Sequence, residues 1–597
     1  MSVSQFLFLT IRTVPSNNFL GNSLLSQKKK TMRHSNPRSW LPTAFFIFMS
    51  NACVYSQNTI EFADRSSAAG LLASHFDGGG TKDYLPQLVV AGLAIFDFDN
   101  DGWLDIYLLN GHELFGSSGG ETSKAIGNTL YRNNQNGTFT DVTVQAGVAS
   151  GKFSLGVVAA DYDNDGDSDL AVNNFGPTQL FLNNGDGTFT SIEHTAGVEG
   201  SGEQCGSGIA FLDIDNDGNL DLFASNYIEF SLAPYGEEIR RPTLYAPGPK
   251  NFTPAADNLY RSLGNGKFKD VSVATGIAAA PGPSMGVVCA DFDGDNDTDI
   301  FVSSDAAANQ LFTNDGSGNF SDTALEAGVA YDLNGLSNGC MGVEAGDYDN
   351  DGWADLLITD FTGQTPMLFR NLQAGFFQDT SRVSQVGRTV MPHTNWGVGL
   401  LDFDNDGDLD AFFANGHLAK NIETIDDRTH YRVANTLMQN DGKGSFRDVS
   451  STAGTGMKIV ECSRGSAFGD MDLDGDIDIV VLNANSTPSY LENQTKTLGG
   501  WIDIRLVGTS VNRDAVGASV KVTASMGSQV ASQVAVVHAG RSYQSHYGTE
   551  LHFGIRNAAQ IERIEVTWPG GTKESFEGCA ANNRLVLVQG TGRLASK

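Results

Sequence analysis

Short apolar runs alternate with acidic loops along most of this chain. Seven times an apolar run leads into the pattern D-x-D-x-D-G-x-x-D, with Asn296 in place of Gly in the fourth copy. A second apolar run follows each loop, as in residues 170–174 (LAVNN) and 479–483 (IVVLN). Short runs rich in β-branched residues and bounded by Gly, Asn and Asp are typical of strands. Each acidic loop is therefore predicted to join two strands of a hairpin.

A second hairpin pattern follows each of the first six acidic loops. Residues 129–142 (TLYRNNQNGTFTDV) give its form, two short strands around an Asn- and Gly-rich turn, and the phrase returns after the later loops. Successive loops start 64, 52, 78, 56, 55 and 68 residues apart. Four strands per unit at such periods indicate propeller blades. The sequence predicts an all-β fold whose main part is a seven-bladed β-propeller over residues 58–493.

The seventh unit lacks the second strand of this hairpin. Residues 62–71 (FADRSSAAGL) match residues 139–148 (FTDVTVQAGV) in register. An N-terminal strand within residues 60–71 is therefore expected to complete the last blade, which would close the ring and leave no exposed sheet edge.

The acidic loops are candidate calcium sites. Carboxylates at positions 1, 3, 5 and 9 of a tight turn supply the hard oxygens that Ca²⁺ prefers. An EF-hand would need a Glu at position 12, whereas that position is always apolar here. Up to seven Ca²⁺ ions, mainly structural, are expected. The candidate ligands are Asp97, Asp99, Asp101 and Asp105; Asp161, Asp163, Asp165 and Asp169; Asp213, Asp215, Asp217 and Asp221; Asp291, Asp293, Asp295 and Asp299; Asp347, Asp349, Asp351 and Asp355; Asp402, Asp404, Asp406 and Asp410; and Asp470, Asp472, Asp474 and Asp478.

A large part of the chain's negative charge lies in these loops. The formal net charge is −32, and the loops supply 28 of the 70 acidic residues. Seven Ca²⁺ ions would leave about −18. A surface of this sign argues against nucleic acid as a partner, because nucleic-acid binding needs basic patches.

The first 52 residues have the plan of an extension and a secretion signal. Basic residues precede the apolar run 40–49, and a small-x-small site follows at 50–52. The residues before Met32 fit no part of this plan, so Met32 is a candidate translation start. Cys53 follows the expected cleavage site and is a candidate lipid anchor. The protein is expected to be secreted or periplasmic, or an outer-surface lipoprotein if Cys53 is modified. No apolar stretch is long enough for a transmembrane helix.

The last part of the chain carries no acidic loop. Residues 501–507, 518–523, 530–537 and 564–568 alternate as half-buried strands, and no helical pattern separates them. Residues 499–590 are therefore predicted to form a second, sandwich-like β domain.

Two resemblances follow from these motifs. The acidic repeats resemble the FG-GAP/VCBS type of integrin α-chain propellers, and residues 512–518, 540–545, 551–554 and 566–571 resemble the ASPIC/UnbV domain. One departure is Arg556, where the family usually has Gly. Together the two parts resemble the cartilage acidic protein 1 family. The resemblance implies an extracellular, calcium-dependent binding, adhesion or matrix role with a protein or glycan partner.

The alternative is a calcium-dependent, carbohydrate-active propeller enzyme. The longest insertions, 112–127, 227–257 and 417–434, are expected on the face opposite the acidic loops. There they would bind a ligand, or would only cover blade ends or pack against the second domain. His112 and His417 occupy equivalent places in blades 1 and 6, with His393 and Lys420 expected nearby. Similar propeller lyases use a His or Lys as base. The sequence favours a structural role, in which each His caps a strand end or hydrogen-bonds a loop, and no catalytic residue is assigned.

Overall fold

The computed structural model describes the chain from residue 59 almost to its end. The described ranges are 59–79, 84–112, 114, 127–200, 204–231, 233, 247–496, 499–526, 529–558, 560–592 and 594–596. The predicted signal segment, Met32 and Cys53 lie outside them, as do parts of the first two long insertions. Within this part of the chain, every helix is too short or too polar to cross a membrane.

Seven four-stranded antiparallel sheets form the main body. In blades 1–6 the strands follow chain order from the centre outward, and in blade 7 the outermost strand comes from the N-terminal end of the propeller. The first strands of consecutive blades pack side by side, and that of blade 7 packs against that of blade 1. The first strands are Leu93–Phe96, Ser154–Ala160, Gln204–Leu212, Ser284–Ala290, Val343–Gly346, Asn395–Leu401 and Ser463–Gly469. The second strands, which begin at position 9 of each acidic loop, are Asp105–Leu108, Asp169–Asn174, Asp221–Glu229, Asp299–Ser304, Asp355–Ile358, Asp410–Asn415 and Asp478–Asn483.

The outer half of each blade is the second hairpin. Its third strands are Thr129–Asn133, Gly176–Asn183, Asn258–Ser262, Gln310–Asn314, Met367–Asn371, Thr436–Asn440 and Ser489–Asn493. The outermost strands are Phe139–Asp141, Phe189–Ser191, Phe268–Asp270, Phe320–Asp322, Phe377–Asp379, Phe446–Asp448 and, in blade 7, Phe62–Asp64. The last of these pairs Phe62 with Asn493 and Asp64 with Leu491, so blade 7 contains strands from both ends of the propeller.

Glycines within or directly before the first strands allow neighbouring blades to approach closely at the axis. A Cβ atom on Gly342 would lie 2.2 Å from the carbonyl oxygen of Trp396 in the next blade, and one on Gly156 would lie 2.0 Å from that of Ser207. No side chain fits at such distances. This close approach explains the Gly that recurs five residues before each acidic loop.

The C-terminal domain consists of two four-stranded sheets. One has the order Leu551–Gly554, Trp501–Val507, Asn583–Val588, Leu594–Ser596, and the other Gln529–Val536, Ser519–Met526, Ile561–Thr567, Lys573–Glu577. Apolar side chains from both sheets, including Ile504 and Trp568, form one buried cluster. The predicted fold class, a seven-bladed propeller followed by a small sandwich-like domain, is confirmed.

Helices and minor strands are short connectors. The α-helices are Leu85–Leu88, Thr143–Ala146, Glu193–Ala196, Ala324–Ala327 and Val386–Val390, and the 3₁₀ helices are Pro249–Asn251, Ile277–Ala279, Ile422–Thr424, Gly456–Lys458 and Pro569–Gly571. The minor strands are Thr253–Pro254, Val433–Ala434 and Val460–Glu461.

One segment of the C-terminal domain enters the propeller axis. We call residues 538–548 the axial segment. Its strand His546–Tyr547 pairs in parallel with the first strand of blade 1, and its Ser542 pairs with Val343 of blade 5. Tyr543 is fully buried and donates a hydrogen bond to the carbonyl of Val89 at 2.6 Å.

The axial segment touches every blade. Besides blades 1 and 5, its backbone or side chains bond to Val157 of blade 2, Phe211 of blade 3, Cys289 of blade 4 and Val398 of blade 6 at 2.9–3.1 Å. In blade 7, the rings of Phe468 and Tyr547 meet edge to face with centroids 5.0 Å apart. The axial segment therefore runs through the central channel of the propeller, and the rest of the C-terminal domain lies on the acidic-loop face.

Candidate metal centres

The acidic loop of blade 5 shows the local geometry that the others repeat. The two carboxylate oxygens of Asp347, at position 1, accept hydrogen bonds from the N–H groups of Asp351 and Gly352 at 2.9 and 2.8 Å. Those of Asp355, at position 9, accept from Asn371 and Tyr348 at 2.7 and 3.1 Å. The loop is thus closed by its own acidic side chains, and position 9 also anchors the third strand.

Position 6 needs a left-handed backbone, which explains its glycine. Gly352 has φ of 95°, and Asn296 in the fourth loop has φ of 73°. Asn tolerates this region better than most residues with a side chain. The fourth loop therefore closes as the others do, and the N–H of Asn296 donates a hydrogen bond to the carboxylate of Asp291 at 2.9 Å.

Position 3 points at the centre of the loop. One carboxylate oxygen, Oδ1, of Asp99, Asp215 and Asp349 is buried and has no hydrogen-bond partner among the described residues. An arginine on the third strand of the same blade, Arg132 or Arg370, binds Oδ2 at 2.8 or 2.6 Å. A buried anionic oxygen without a partner is costly, so these oxygens fit a cation at the loop centre.

Carboxylates from the same loop lie close together. In five loops, three of them present oxygens within 4.8 Å of one another, from positions 1, 3 and 9 in blades 1–3 and from positions 1, 3 and 5 in blades 4 and 5. Burial, together with the neighbouring carboxylates, raises the pKa of position 9 to about 8 in Asp105 and about 9 in Asp169. A bound cation would reverse this effect by favouring the charged form.

Two asparagine series join the loops into a ring. At position 4, Asn100, Asn164, Asn216, Asn350 and Asn405 donate side-chain hydrogen bonds to the acidic loop of the next blade. At the end of the third strand, Asn133, Asn183, Asn314, Asn371, Asn440 and Asn493 donate to the carbonyl at position 2 of the preceding blade's loop. Sequence reasoning missed these links, although the recurring Asn after each third strand was a visible signal.

The candidate catalytic side chains have other partners. His417 is almost fully buried, accepts a hydrogen bond from the N–H of Ala419 at 3.0 Å, and has a pKa lowered to about 4 by burial. Lys420 forms an ion pair with Asp77 at 2.8 Å. Burial also lowers the pKa of His393. These contacts fit packing roles better than proton abstraction.

Two further histidines belong to the C-terminal domain. His546 is buried in the axial segment and receives the N–H of Gly540 at 3.3 Å. His552 bonds to Asp503 at 2.8 Å and to the side-chain oxygen of Asn405, in the blade 6 loop, at 2.7 Å. His552 therefore links the domain to blade 6, whereas the ring of His546 bonds within the axial segment. His112 is half-buried at the end of blade 1's second strand.

Comparisons with known proteins cover both parts of the chain. The family model for ASPIC and UnbV matches residues 508–594. The family model for the FG-GAP-like repeat matches residues 97–172, 161–224, 251–302, 291–358 and 347–413.

Curated relatives and solved structures are similar at low identity. Cartilage acidic protein 1 from Xenopus tropicalis is 26% identical over 291 residues, covering 47% of this chain and 41% of the relative. The protein of the same name from Mus musculus is 24% identical over 340 residues, covering 56% and 49%. The match thus spans about half the length of these relatives or less.

Two solved structures are also similar. An Agrocybe aegerita lectin that recognises non-reducing terminal N-acetylglucosamine has a TM-score of 0.38 at 17% identity, covering 67% of this chain and 87% of the lectin. The rhamnogalacturonan lyase PL11 of Bacillus licheniformis has a TM-score of 0.35 at 13% identity, covering 67% and 71%. TM-scores this low carry no functional conclusion.

From its repeats and its last domain, the chain belongs to the FG-GAP repeat proteins with a C-terminal ASPIC and UnbV domain, and is related to cartilage acidic protein 1.

Proposed function

We propose that this protein is a secreted, calcium-binding β-propeller that acts as an extracellular binding, adhesion or matrix-type module. The observation that carries the proposal is the repeated donor set, in which carboxylates surround a buried oxygen with no partner among the described residues, as in Asp349. Hard oxygen donors on a tight turn match Ca²⁺. The relationship to cartilage acidic protein 1 supports a matrix-type setting.

Calcium has a structural role in this proposal. The carboxylates at positions 1, 3, 5 and 9 of all seven loops would hold up to seven ions. Each ion would offset the repulsion among its own carboxylates and stabilise the two strands that the loop connects. Because asparagine side chains link each loop to its neighbours, the effect would extend around the propeller.

The face opposite the acidic loops is the proposed partner surface. The C-terminal domain lies on the acidic-loop face, which leaves the opposite face for a protein or glycan ligand. The connection from blade 4 to blade 5 exposes two leucines there, Leu333 and Leu336, at 61% and 60% of their full surface. A rigid turn holds them, because Asp332 accepts the N–H groups of Asn334 and Leu336 at 2.9 and 2.8 Å.

Calcium binding is tested first. The mature protein is dialysed against a chelator and titrated with Ca²⁺ in a calorimeter, and its thermal unfolding is followed with and without the ion. Saturable binding of several ions and a higher Tm with calcium are expected. Equal Tm values in calcium and chelator would overturn the structural role.

Partner binding is then tested on immobilised acidic and neutral polysaccharides and on extracellular matrix proteins, in calcium. We expect saturable binding that falls when Leu333 and Leu336 are both changed to Ser. The matched control changes Val530→Ser, an equally exposed apolar residue of the C-terminal domain. Equal loss in both variants would argue against the opposite face.

Secretion is tested on the mature N-terminus. Mass spectrometry of the exported protein is expected to show cleavage after residue 52. A mass shift of a diacylglycerol on Cys53 would instead support an outer-surface lipoprotein. An intact residue 1–52 segment in the mature protein would overturn secretion through this signal.

A further inference from the structure

Arginines on the third strands face the acidic loops of alternate blades. Arg132, Arg261 and Arg370 occupy the same strand position in blades 1, 3 and 5, and each forms an ion pair with the position 3 carboxylate of its own loop. The equivalent residues in blades 2, 4, 6 and 7 are Leu182, Thr313, Gln439 and Glu492. Four loops therefore have no cationic side chain from their own third strand.

Arginines of the C-terminal domain lie at three of those four loops, in blades 2, 6 and 7. In blade 7, the guanidinium of Arg584 forms an ion pair with Asp470, at position 1, and with Asp503 of its own domain at 3.2 Å. Asp470 is almost fully buried. The basic partner that the third strand of blade 7 does not supply comes from a different domain.

Blade 6 has the most extensive contact. The guanidinium of Arg556 forms an ion pair with Asp408 and donates to the carbonyl of Asp406. Its backbone N–H donates to the carbonyl of Asn405 at 3.1 Å, and His552 bonds to the side chain of the same Asn405 at 2.7 Å. The domain thus contacts positions 4, 5 and 7 of the loop, through two backbone carbonyls and two side chains.

Blade 2 is contacted in the same manner. The N–H of Arg513 donates to the side chain of Asn164 at 2.7 Å, and the N–H of Asp161 donates to Asp514 at 2.8 Å. The guanidinium of Arg513 lies 3.6 Å from the carboxylate of Asp161.

We propose that the C-terminal domain completes the acidic loops of blades 2, 6 and 7 through Arg513, Arg556 and Arg584, so that calcium binding there and docking of the domain strengthen each other. This inference rests on the proposed calcium binding and adds a regulatory consequence to it. The loops of blades 1, 3 and 5 are then completed by an arginine of their own blade, those of blades 2, 6 and 7 by an arginine of the domain, and blade 4 carries Thr313 at the third-strand position.

The sign of the coupling follows from which atoms the domain contacts. At blades 2 and 6 it binds backbone groups and side chains at positions 1, 4, 5 and 7, whose arrangement depends on the loop being closed. Without an ion, the crowded carboxylates repel one another and oppose that closure. An ion at the loop centre would preserve the shape that the domain recognises, and by linkage a docked domain would favour the ion equally.

The positions of the third-strand arginines agree with an ion at the loop centre. Where a third-strand arginine is present, it binds the outer oxygen of the position 3 carboxylate and leaves the inner oxygen buried and unpaired among the described residues, as at Asp349. A guanidinium at the rim of a loop is thus compatible with an ion at the loop centre, because it orients the position 3 carboxylate that would bind the ion. Such residues around a metal commonly change its affinity by 10–100-fold.

The test is hydrogen–deuterium exchange of the full chain during a calcium titration. Peptides spanning residues 470–478, 402–410 and 347–355 report the blade 7, 6 and 5 loops separately, and peptides from residues 538–556 report docking. The variants are Arg584→Gln and Arg556→Gln, with Arg370→Gln as the matched control, because it removes one arginine from a loop completed within its own blade.

We expect Arg584→Gln to raise the calcium concentration that half-protects the blade 7 loop about tenfold and to increase exchange in residues 538–556. Arg556→Gln is expected to do the same at blade 6, where the replaced side chain is half-exposed and therefore less important for folding than that of Arg584. Arg370→Gln should shift only the blade 5 loop. In the unmodified chain, removal of calcium should increase exchange in residues 538–556.

Unchanged midpoints in Arg584→Gln and Arg556→Gln, or tighter calcium binding in them, would overturn the coupling. So would identical exchange of residues 538–556 with and without calcium. The proposed function fails in a different way, because then no loop of the unmodified chain gains protection from calcium.

Discussion

Tyr543 offers the sharpest test of the axial segment. The side chain is fully buried, its ring centroid lies 5.1 Å from that of Trp396, and its hydroxyl donates to the carbonyl of Val89. Tyr543→Phe removes one hydrogen bond to a buried carbonyl and is expected to cost about 1–2 kcal/mol. Tyr543→Ala also removes the ring and leaves a cavity at the axis, for about 4–5 kcal/mol.

The assay is urea unfolding at fixed calcium, followed by tryptophan fluorescence and by circular dichroism. Trp396 reports the propeller axis and Trp568 the core of the C-terminal domain, whereas circular dichroism reports all strands. Because the axial segment contacts every blade, we expect the two probes to shift together to lower urea in both variants. Tyr331→Phe, at a half-exposed tyrosine, is the control and should change stability by less than about 0.5 kcal/mol.

Two results would refute this reasoning. A loss below about 1 kcal/mol for Tyr543→Ala would mean that the ring contributes little at the axis. Separate transitions, with the domain unfolding first and the propeller unaffected, would mean that the segment is an accessory and not a common element of both parts.

Three further predictions concern single side chains. Asp349→Asn should remove one calcium site and, at calcium 100 times the Kd, lower the unfolding free energy by about 2.7 kcal/mol; in chelator it should cost nothing, since it relieves repulsion, and an equal loss in both conditions would contradict a metal role. Burial raises the pKa of Glu344, beside Arg541, to about 7, so this group's contribution to stability is present below pH 4.5 and lost as pH rises through 7. Glu344→Gln should therefore stabilise the protein by roughly 3 kcal/mol at pH 8 and little at pH 4, as measured by urea unfolding at both values, and equal effects would contradict it. Asn371→Ala removes two side-chain hydrogen bonds to carbonyls of blades 4 and 5 and should cost about 1–3 kcal/mol in the same assay; Asn134→Ala, in an exposed turn, is its control, and an equal cost in both would argue against the inter-blade links.

The sequence was sufficient for the fold because the fold repeats. Seven copies of one loop and six of one hairpin define strand order and blade count, and the left-handed turn at Asn296 followed from the chemistry of Asn alone. The individual loop geometry was equally accessible, since positions 1 and 9 bond within the loop or to the strand beside it. Which ion binds remains a prediction.

Contacts between distant parts of the chain were not predictable in this way. The residues around Tyr543 were recognised only as part of a domain motif. Nothing in their pattern indicates that they enter a channel whose wall includes Val89, 454 residues earlier in the chain. The same holds for Arg584 and Asp470, which meet only because two domains pack together. The third-strand arginines and asparagines were visible at regular positions, but their partners became clear only with the blades assembled.

The axial segment also imposes an order on how the protein is made. Residues 538–548 are synthesised after every strand of the seven blades, so the nascent propeller has an open channel lined by backbone groups that lack their final partners. Blade 7 already contains its N-terminal strand by then, yet the centre can be filled only when the C-terminal domain follows. Folding from the N-terminus during synthesis therefore ends with insertion of the axial segment. A chain that stopped before residue 538 would contain all seven blades around an unfilled channel.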